Sequence, residues 1–192
     1  LVTMPINKAI FKKKIKFTGM TEYLGALNKR YTIMLMVGEK FSIIPYTTHI
    51  NVKNIKDYIK TDKLNFFLKN IFINLNKKIY EMTFKNIFFL CYNPHCGEDG
   101  TLGKEDVLIK DVLKKHKRVK GFISADSAFN KLNKNSLFIS TYHDQALIPF
   151  KILNKKSLNL TIGLNYRRLS PAHGTANDIR NKNQANNGSY LT

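Results

Sequence analysis

Three short apolar runs, rich in β-branched and aromatic residues, each give way to a polar turn that carries a histidine. Phe41 to Pro45 leads into Tyr46-Thr47-Thr48-His49. Asn86 to Tyr92, centred on Ile-Phe-Phe-Leu-Cys, leads into Asn93-Pro94-His95-Cys96-Gly97-Glu98-Asp99-Gly100. Ser136 to Thr141 leads into Tyr142-His143-Asp144-Gln145. Continuous apolar runs this short, bounded by turn residues, fit strands buried on both faces. Such strands need helices above and below, so the chain is constrained toward a layered α/β fold.

The segments between these runs supply the helices. Thr21 to about Arg30 follows a Thr-Gly turn and carries Glu22 in its first turn, where a helix dipole favours an acid. Asn54 to Tyr80 places Ile55, Ile59, Phe66, Phe67, Ile71 and Leu75 at helical spacing, as two helices or one with a break near Thr61-Asp62. Lys104 to Lys117 is amphipathic, with Val107, Leu108, Val112 and Leu113 expected inward. Tyr31 to Val37 and Leu158 to Leu164 are further strands, and Phe122-Ile123-Ser124 is a short extended piece. Ala125-Asp126-Ser127 is expected to start a brief helix; Pro171 to Gly174 is a turn, and Thr175 caps a last helix. The alternation predicts an α/β/α arrangement, a mostly parallel sheet with helices on both faces. Ligands bind beyond the carboxyl ends of strands in such sheets, and His49, His95 and His143 all fall there. No linker divides residues 1–192. Leu1-Val2-Thr3-Met4-Pro5 reads as a strand end entering a loop, so the sequence is expected to begin inside a longer protein.

Composition narrows the partners. The 192 residues are 43% hydrophobic and 11% aromatic, enough for one core, and no apolar run is long enough for a membrane span. The start carries no secretory signal pattern. The net charge of +19 raises the question of nucleic acid. Its cations are nearly all lysine, with arginine at Arg30, Arg118, Arg167, Arg168 and Arg180. Base reading favours the arginine fork, and the lysines are spread along the chain, so a nucleic-acid partner is not expected. Cys91 and Cys96 suggest no disulfide framework; one thiol buried in a strand and one in a loop, in a reducing cytoplasm, is the expectation.

Three neutral imidazoles at three strand ends can converge on one divalent metal and leave positions open for substrate. Taken singly, a histidine after a strand is more often a hydrogen-bonded loop residue than a ligand. His116, among Lys114, Lys115, Lys117 and Arg118, reads as a solvated helix face, and His173 precedes a helix start that suits an anion. Gly97, Gly100 and Gly103 are not spaced as a dinucleotide fingerprint. Lys151, Asn159 and Arg168 stand near strand ends, where cations hold phosphate or simply face water.

Read together, Thr18-Gly19-Met20-Thr21-Glu22, Thr47-Thr48-His49, the Asn93–Gly100 stretch, Ser124-Ala125-Asp126-Ser127, Tyr142 to Lys151, Leu158 to Gly163 and His173-Gly174-Thr175-Ala176 carry a family pattern. The chain resembles the 4-hydroxythreonine-4-phosphate dehydrogenase family of pyridoxal phosphate synthesis along essentially its whole length. The resemblance implies an isocitrate-dehydrogenase-like fold without the family's N-terminal part, a fragment of a two-lobed enzyme that works as a homodimer. It implies His49, His95 and His143 as ligands of Zn²⁺, Mg²⁺ or Co²⁺, shared between partners. Thr21, Lys151, Asn159 and Arg168 would contact substrate, with Asp126 and Asp144 near its amino group. The implied oxidoreductase chemistry is NAD- or NADP-dependent oxidation of 4-phosphooxy-L-threonine, then loss of carbon dioxide to 3-amino-2-oxopropyl phosphate. Residues that bind the nicotinamide cofactor are not assigned.

The chain departs from that pattern at Met20, where the family has histidine, at Met4 for a glycine, at Ala172 for an acid, and at Asn181 and Asn183 near glycines. These substitutions leave the metal set intact and erode the substrate and cofactor contacts. They motivate a second expectation, a truncated or degraded homologue with little activity.

Overall fold

The computed structural model describes residues 1–6, 17–130, 132–172, 174, 179 and 181–184. Its centre is the strand Ser136–Ser140 (β5), in which every residue is buried. β5 is flanked in parallel by Ser42–Pro45 (β2) and Asn86–Leu90 (β3), and β3 pairs in parallel with Gly121–Ile123 (β4). Beyond β2 the sheet turns antiparallel through Ile33–Gly38 (β1), Ser157–Ile162 (β6) and Arg168–Pro171 (β7). The order is β4-β3-β5-β2-β1-β6-β7. A parallel block thus carries the three histidine turns, and an antiparallel block lies beside it. Near the chain start Val2 makes a single parallel bridge to Leu169, as the strand-like reading of that segment requires.

Side chains that alternate along a strand reach opposite faces, and here both faces are apolar. Ile33, Leu35, Ile44, Ile87, Phe89, Leu137 and Ile139 join one core cluster, while Met34, Met36, Ile43, Phe88, Leu90 and Phe138 pack into another. Helices cover both, which gives the α/β/α layering.

The first face is covered by Thr61–Leu75 (α2) and Glu105–Leu113 (α3). In α2, Leu64, Phe67, Leu68, Ile71 and Leu75 form the buried stripe. Before it, Val52–Tyr58 is a 3-10 helix capped by Asn51, whose side chain accepts from Lys53 N at 3.1 Å. The break between them falls at Ile59 and extended Lys60, where the sequence suggested one.

In α3 the inward stripe differs from expectation: Ile109, Val112 and Leu113 are buried, Leu108 is partly so, and Val107 is exposed. The cause is Asp106, 1% exposed, whose two oxygens accept from Tyr92 N at 2.7 Å and Asn93 N at 2.9 Å. Those bonds draw Asp106 inward and leave its neighbour in water. His116 is half-buried, not solvated: its Nε2 meets Asn65 Oδ1 at 2.7 Å, and burial lowers its pKa.

The second face is covered by Met20–Leu27 (α1) at its edge and by His143–Leu153 (α4). The sequence reading placed no helix after His143, and it missed β7. Pro149 lies inside α4 and removes one backbone donor there. Burial of Ala146, Leu147 and Phe150 at helical spacing on the sheet offsets that loss. The expected helix at Ala125-Asp126-Ser127 is instead a run of turns. Ser124 Oγ donates to Asp126 Oδ1 at 2.6 Å and Ser127 Oγ to Ser124 O at 3.3 Å, local bonds that compete with helix formation. Pro171 ends β7 and is not itself a turn residue; His173 and the Thr175 cap lie outside the described residues.

Asp106 is the bond that holds the end of β3 to α3. Asp106→Ala is expected to cost about 2–4 kcal/mol, because two inward backbone donors lose a charged acceptor. Urea unfolding should show the lower midpoint with an unchanged m-value.

Candidate functional site

The second face opens into a cleft of about 570 Å³. The two-residue period of β6 and β7 supplies one wall. Leu158, Leu160, Ile162 and Leu169 point to the α2 side, so Asn159, Thr161 and Arg168 point to the other. Register sets Met36 beside Asn159 and Thr161 beside Arg168. Thr21 and Glu22 enter from the first turn of α1, His143 and Lys151 from the two ends of α4, and His49 from the turn after β2. Thr21, His49, His143, Lys151, Asn159 and Arg168, six residues singled out from the sequence, therefore line one cavity.

Arg168 is 3% exposed. Its guanidinium donates from Nε to Thr3 Oγ1 at 2.9 Å, from a terminal nitrogen to the same hydroxyl, and from the other to Thr161 Oγ1 at 3.1 Å. Thr161 Oγ1 in turn lies 3.3 Å from Thr21 Oγ1. Burial lowers the Arg168 pKa and attraction to Glu22 opposes the shift; an arginine stays charged. Among the described residues no carboxylate lies within ion-pair distance of it. This buried, hydroxyl-held cation and Lys151 give one cavity two positive charges, a chemistry that suits an anion. Asn159 Oδ1 is buried without a hydrogen-bond partner among the described residues, an acceptor free for a ligand donor.

In the same cleft the rings of His49 and His143 lie 5.6 Å apart, centre to centre. Each turns Nδ1 to a carboxylate: His49 to Glu22 Oε1 at 3.5 Å and His143 to Asp144 Oδ1 at 2.6 Å. With the ring proton on Nδ1, the side turned to the carboxylate, the Nε2 lone pair is left for a cation. Glu22 also accepts from Thr48 Oγ1 at 2.9 Å. Burial alone raises the Glu22 carboxyl, but hydrogen bonds from His49, its own backbone and Thr48, with the charge of His49, bring it down to about 2.

His143 owes its place to Gln145. The Gln145 amide oxygen accepts from Thr141 N at 2.8 Å and Thr141 Oγ1 at 2.9 Å, and its nitrogen donates to Cys91 O at 2.7 Å. The first turn of α4 is thereby tied to the ends of β5 and β3.

His95 and Asp126 stand elsewhere. They share a separate cavity of about 260 Å³ with Tyr92, Ser124 and Tyr142. Asp126 has its pKa lowered by the Ser124 hydroxyl, with help from the charge of His95. Asp144 is exposed at the rim beside His143. Within one chain the three histidines do not meet, and among the described residues no group of three or more His, Cys, Asp or Glu could hold a metal ion. His95 is exposed on a turn whose backbone runs left-handed through His95, Cys96, Gly97, Glu98 and Asp99, with φ between 45° and 75°. Such residues cost roughly 1–2 kcal/mol each outside glycine and persist where the surroundings over-determine them. The surroundings here are the Asp106 bonds and a disulfide between Cys91 and Cys96, Cα atoms 4.9 Å apart. That bond corrects the expectation of two separate thiols: the left-handed turn folds Cys96 back onto the strand end. In the same turn Thr101 N and Leu102 N are bonded to Glu98 O and Gly97 O.

The sequence reading did not pick out Glu22, Thr3 or Thr161 as site residues. Glu22 carried a signal, an acid one residue after Thr21 in a helix's first turn, but was read for its dipole. Thr161 could have been found from the alternation of β6; Thr3 carried no signal, because its contact with Arg168 spans 165 residues.

Fold and cleft define an α/β/α protein with one cavity that holds a buried, hydroxyl-held arginine and a pair of imidazoles turned toward carboxylates. The family profile of the pyridoxal phosphate biosynthetic protein PdxA matches residues 1–192, and the chain belongs to that family. It is 36% identical over 200 residues to the 4-hydroxythreonine-4-phosphate dehydrogenase of Aquifex aeolicus, covering 100% of this chain and 62% of that one. The crystal structure of the Klebsiella pneumoniae 4-hydroxythreonine-4-phosphate dehydrogenase superposes with a TM-score of 0.71 at 27% identity, over 98% of this chain and 60% of that one. An isocitrate dehydrogenase from Methylococcus capsulatus, 10% identical with a TM-score of 0.50, shares the fold alone over 99% of this chain and 65% of that one. The chain thus spans about three fifths of the relatives it matches.

The low Glu22 pKa predicts an acid limb in the stability profile. A carboxyl held at about 2, against an ordinary 4.5, adds stability above the higher value that is lost as pH falls toward the lower. Urea titrations of the metal-free protein across this window should show wild type losing more stability than Glu22→Gln.

Proposed function

We propose that this chain is the catalytic portion of a 4-hydroxythreonine-4-phosphate dehydrogenase that acts as a cytoplasmic homodimer. It oxidises 4-phosphooxy-L-threonine with NAD or NADP and releases carbon dioxide, giving 3-amino-2-oxopropyl phosphate. The observation that carries this reading is the single cleft that gathers Thr21, His49, His143, Lys151, Asn159 and Arg168. No helix among the described residues is long and apolar enough to cross a membrane.

Arg168 and Lys151 take the substrate phosphate. Their charges fix the far end of the molecule, so binding energy there positions the reacting carbon. Thr21 and Asn159 supply polar contacts along the cleft, and Met34, Met36 and Leu147 keep water from it. The donor set of the imidazole pair fits a divalent cation such as Zn²⁺, Mg²⁺ or Co²⁺: two rings with Nδ1 engaged and Nε2 free. The third ligand in this reading is His95 of the partner subunit, which also brings the partner subunit's Asp126 to the substrate ammonium beside Asp144. His95 suits that role because it is exposed on a strained turn and stands apart from the other two. A cation held there would supply Lewis-acid polarisation of a substrate oxygen. The described residues supply no cradle for the dinucleotide phosphates, and no step is derived through the nicotinamide.

Purified chain with Co²⁺ or Zn²⁺, NAD⁺ or NADP⁺ and 4-phosphooxy-L-threonine should produce the absorbance of reduced nicotinamide; no rise with any pairing overturns the reading. Lys151→Ala should lower kcat/KM by roughly 10- to 100-fold through loss of one charged contact. His143→Ala should lower kcat by about 100-fold or more.

A second reading, slow turnover, rests on Met20, which lines the cleft next to Thr21 with a thioether that cannot donate a hydrogen bond. Met20→His should then raise kcat/KM by about 10-fold, the worth of one charge-assisted contact; an unchanged rate removes Met20 as the cause.

A further inference from the structure

We propose that Glu22 is a positioning residue, holding His49 in the tautomer and orientation that present Nε2 to the cation; this rests on the dehydrogenase reading of the cleft. Glu22 Oε1 receives Thr48 Oγ1 at 2.9 Å and faces His49 Nδ1 at 3.5 Å. Thr48 and His49 are consecutive, so one carboxylate oxygen grips both residues of the turn that follows β2.

Close packing at Gly19 makes the grip possible. A Cβ there would stand 2.4 Å from Glu22 Oε2, 2.9 Å from His49 Cε1 and 3.1 Å from His49 Nδ1. A side chain at this helix N-cap would push carboxylate and imidazole apart.

Stability of the fold accounts for part of the arrangement, through the lowered Glu22 carboxyl, but not for all of it. Glu22 Oε2 is buried with no hydrogen-bond partner among the described residues. An unsatisfied carboxylate oxygen is a cost that an apolar residue at an edge helix would avoid. What Glu22 provides instead is an acceptor for one ring nitrogen of His49. Asp144 does the same for His143 from the adjacent position in the chain, at 2.6 Å. The two imidazoles lie 5.6 Å apart, centre to centre, with their planes tilted by 42°. For His143 the support is local in sequence. For His49 it comes from another helix, 27 residues upstream, and thus depends on the fold. Carboxylate partners of this kind fix ring orientation and raise ligand basicity, and their loss costs about 10- to 100-fold in metal affinity.

The test compares wild type with Glu22→Gln and Glu22→Ala in the full chain. Imidazole ¹⁵N shifts of the metal-free protein at neutral pH report the His49 tautomer, and titration with Co²⁺ followed by its visible spectrum reports affinity. Wild type should hold the proton on Nδ1. Glu22→Gln keeps an acceptor oxygen, so it should keep the tautomer and lose about 10-fold in Co²⁺ affinity. Glu22→Ala should shift the proton toward Nε2 and lose up to about 100-fold. Thermal midpoints that leave each metal-free variant folded at the assay temperature separate positioning from misfolding; a variant that unfolds is replaced by Gly19→Ala, which displaces the same contact. An unchanged His49 tautomer in Glu22→Ala overturns the proposal. If no variant and no wild type binds Co²⁺ while the tautomer still shifts, Glu22 holds His49 as stated and the metal-dependent reading is what fails.

Discussion

Burial of β5 on both faces is the constraint from which the cleft follows. Leu137 and Ile139 lie against α2 and α3, and Phe138 against α4, so this strand can occupy only the middle of the sheet. Its parallel pairing with β2 and β3 sets three carboxyl ends side by side, with Pro45 beside Ser140 and Phe89 beside Ile139. The chain must turn at each end, and the turns are where polar residues are affordable. Gln145 then converts proximity into a fixed arrangement, because one side chain satisfies groups from β5 and the residue after β3. The start of α4, and with it His143, has little freedom left.

Charge placement shows the same economy. The chain carries +19, yet the cation that matters most is the one hidden from water. Arg168 keeps its charge while its partners are neutral hydroxyls, and the nearest negative influence is Glu22, which is itself engaged by His49 and Thr48. Arg168 and Lys151 thus bring positive charge into the same cavity that holds the two imidazoles. Nothing in this distribution needs the many surface lysines.

Much of this was legible in the sequence. The apolar runs of β2, β3 and β5 declare themselves because strands buried on both faces leave no polar positions. The histidines were found because they interrupt polar turns directly after those runs. Errors cluster where a local preference lost to a tertiary contact. Val107 was placed inside because it is apolar, but Asp106 is drawn in by two backbone amides. Helix α4 was passed over because Pro149 breaks the local pattern, while Ala146, Leu147 and Phe150 had a sheet to cover. The two cysteines gave no sign of pairing, since spacing alone does not reveal a left-handed turn.

The sequence by itself determined the α/β class, the strand ends that bear histidine, and, through its motif order, the family. It could do so because periodicity and turn chemistry are local. Only the tertiary structure decided that Thr21, Asn159, Lys151 and Arg168 share a cavity with His49 and His143, and that His95 stands apart. Those distances depend on how strands pair and helices pack across more than a hundred residues, and no local pattern encodes them. The left-handed turn, the Cys91–Cys96 bond and the grip of Glu22 on His49 belong to the same class. Each exists because distant segments leave one place for a charge or a backbone bend.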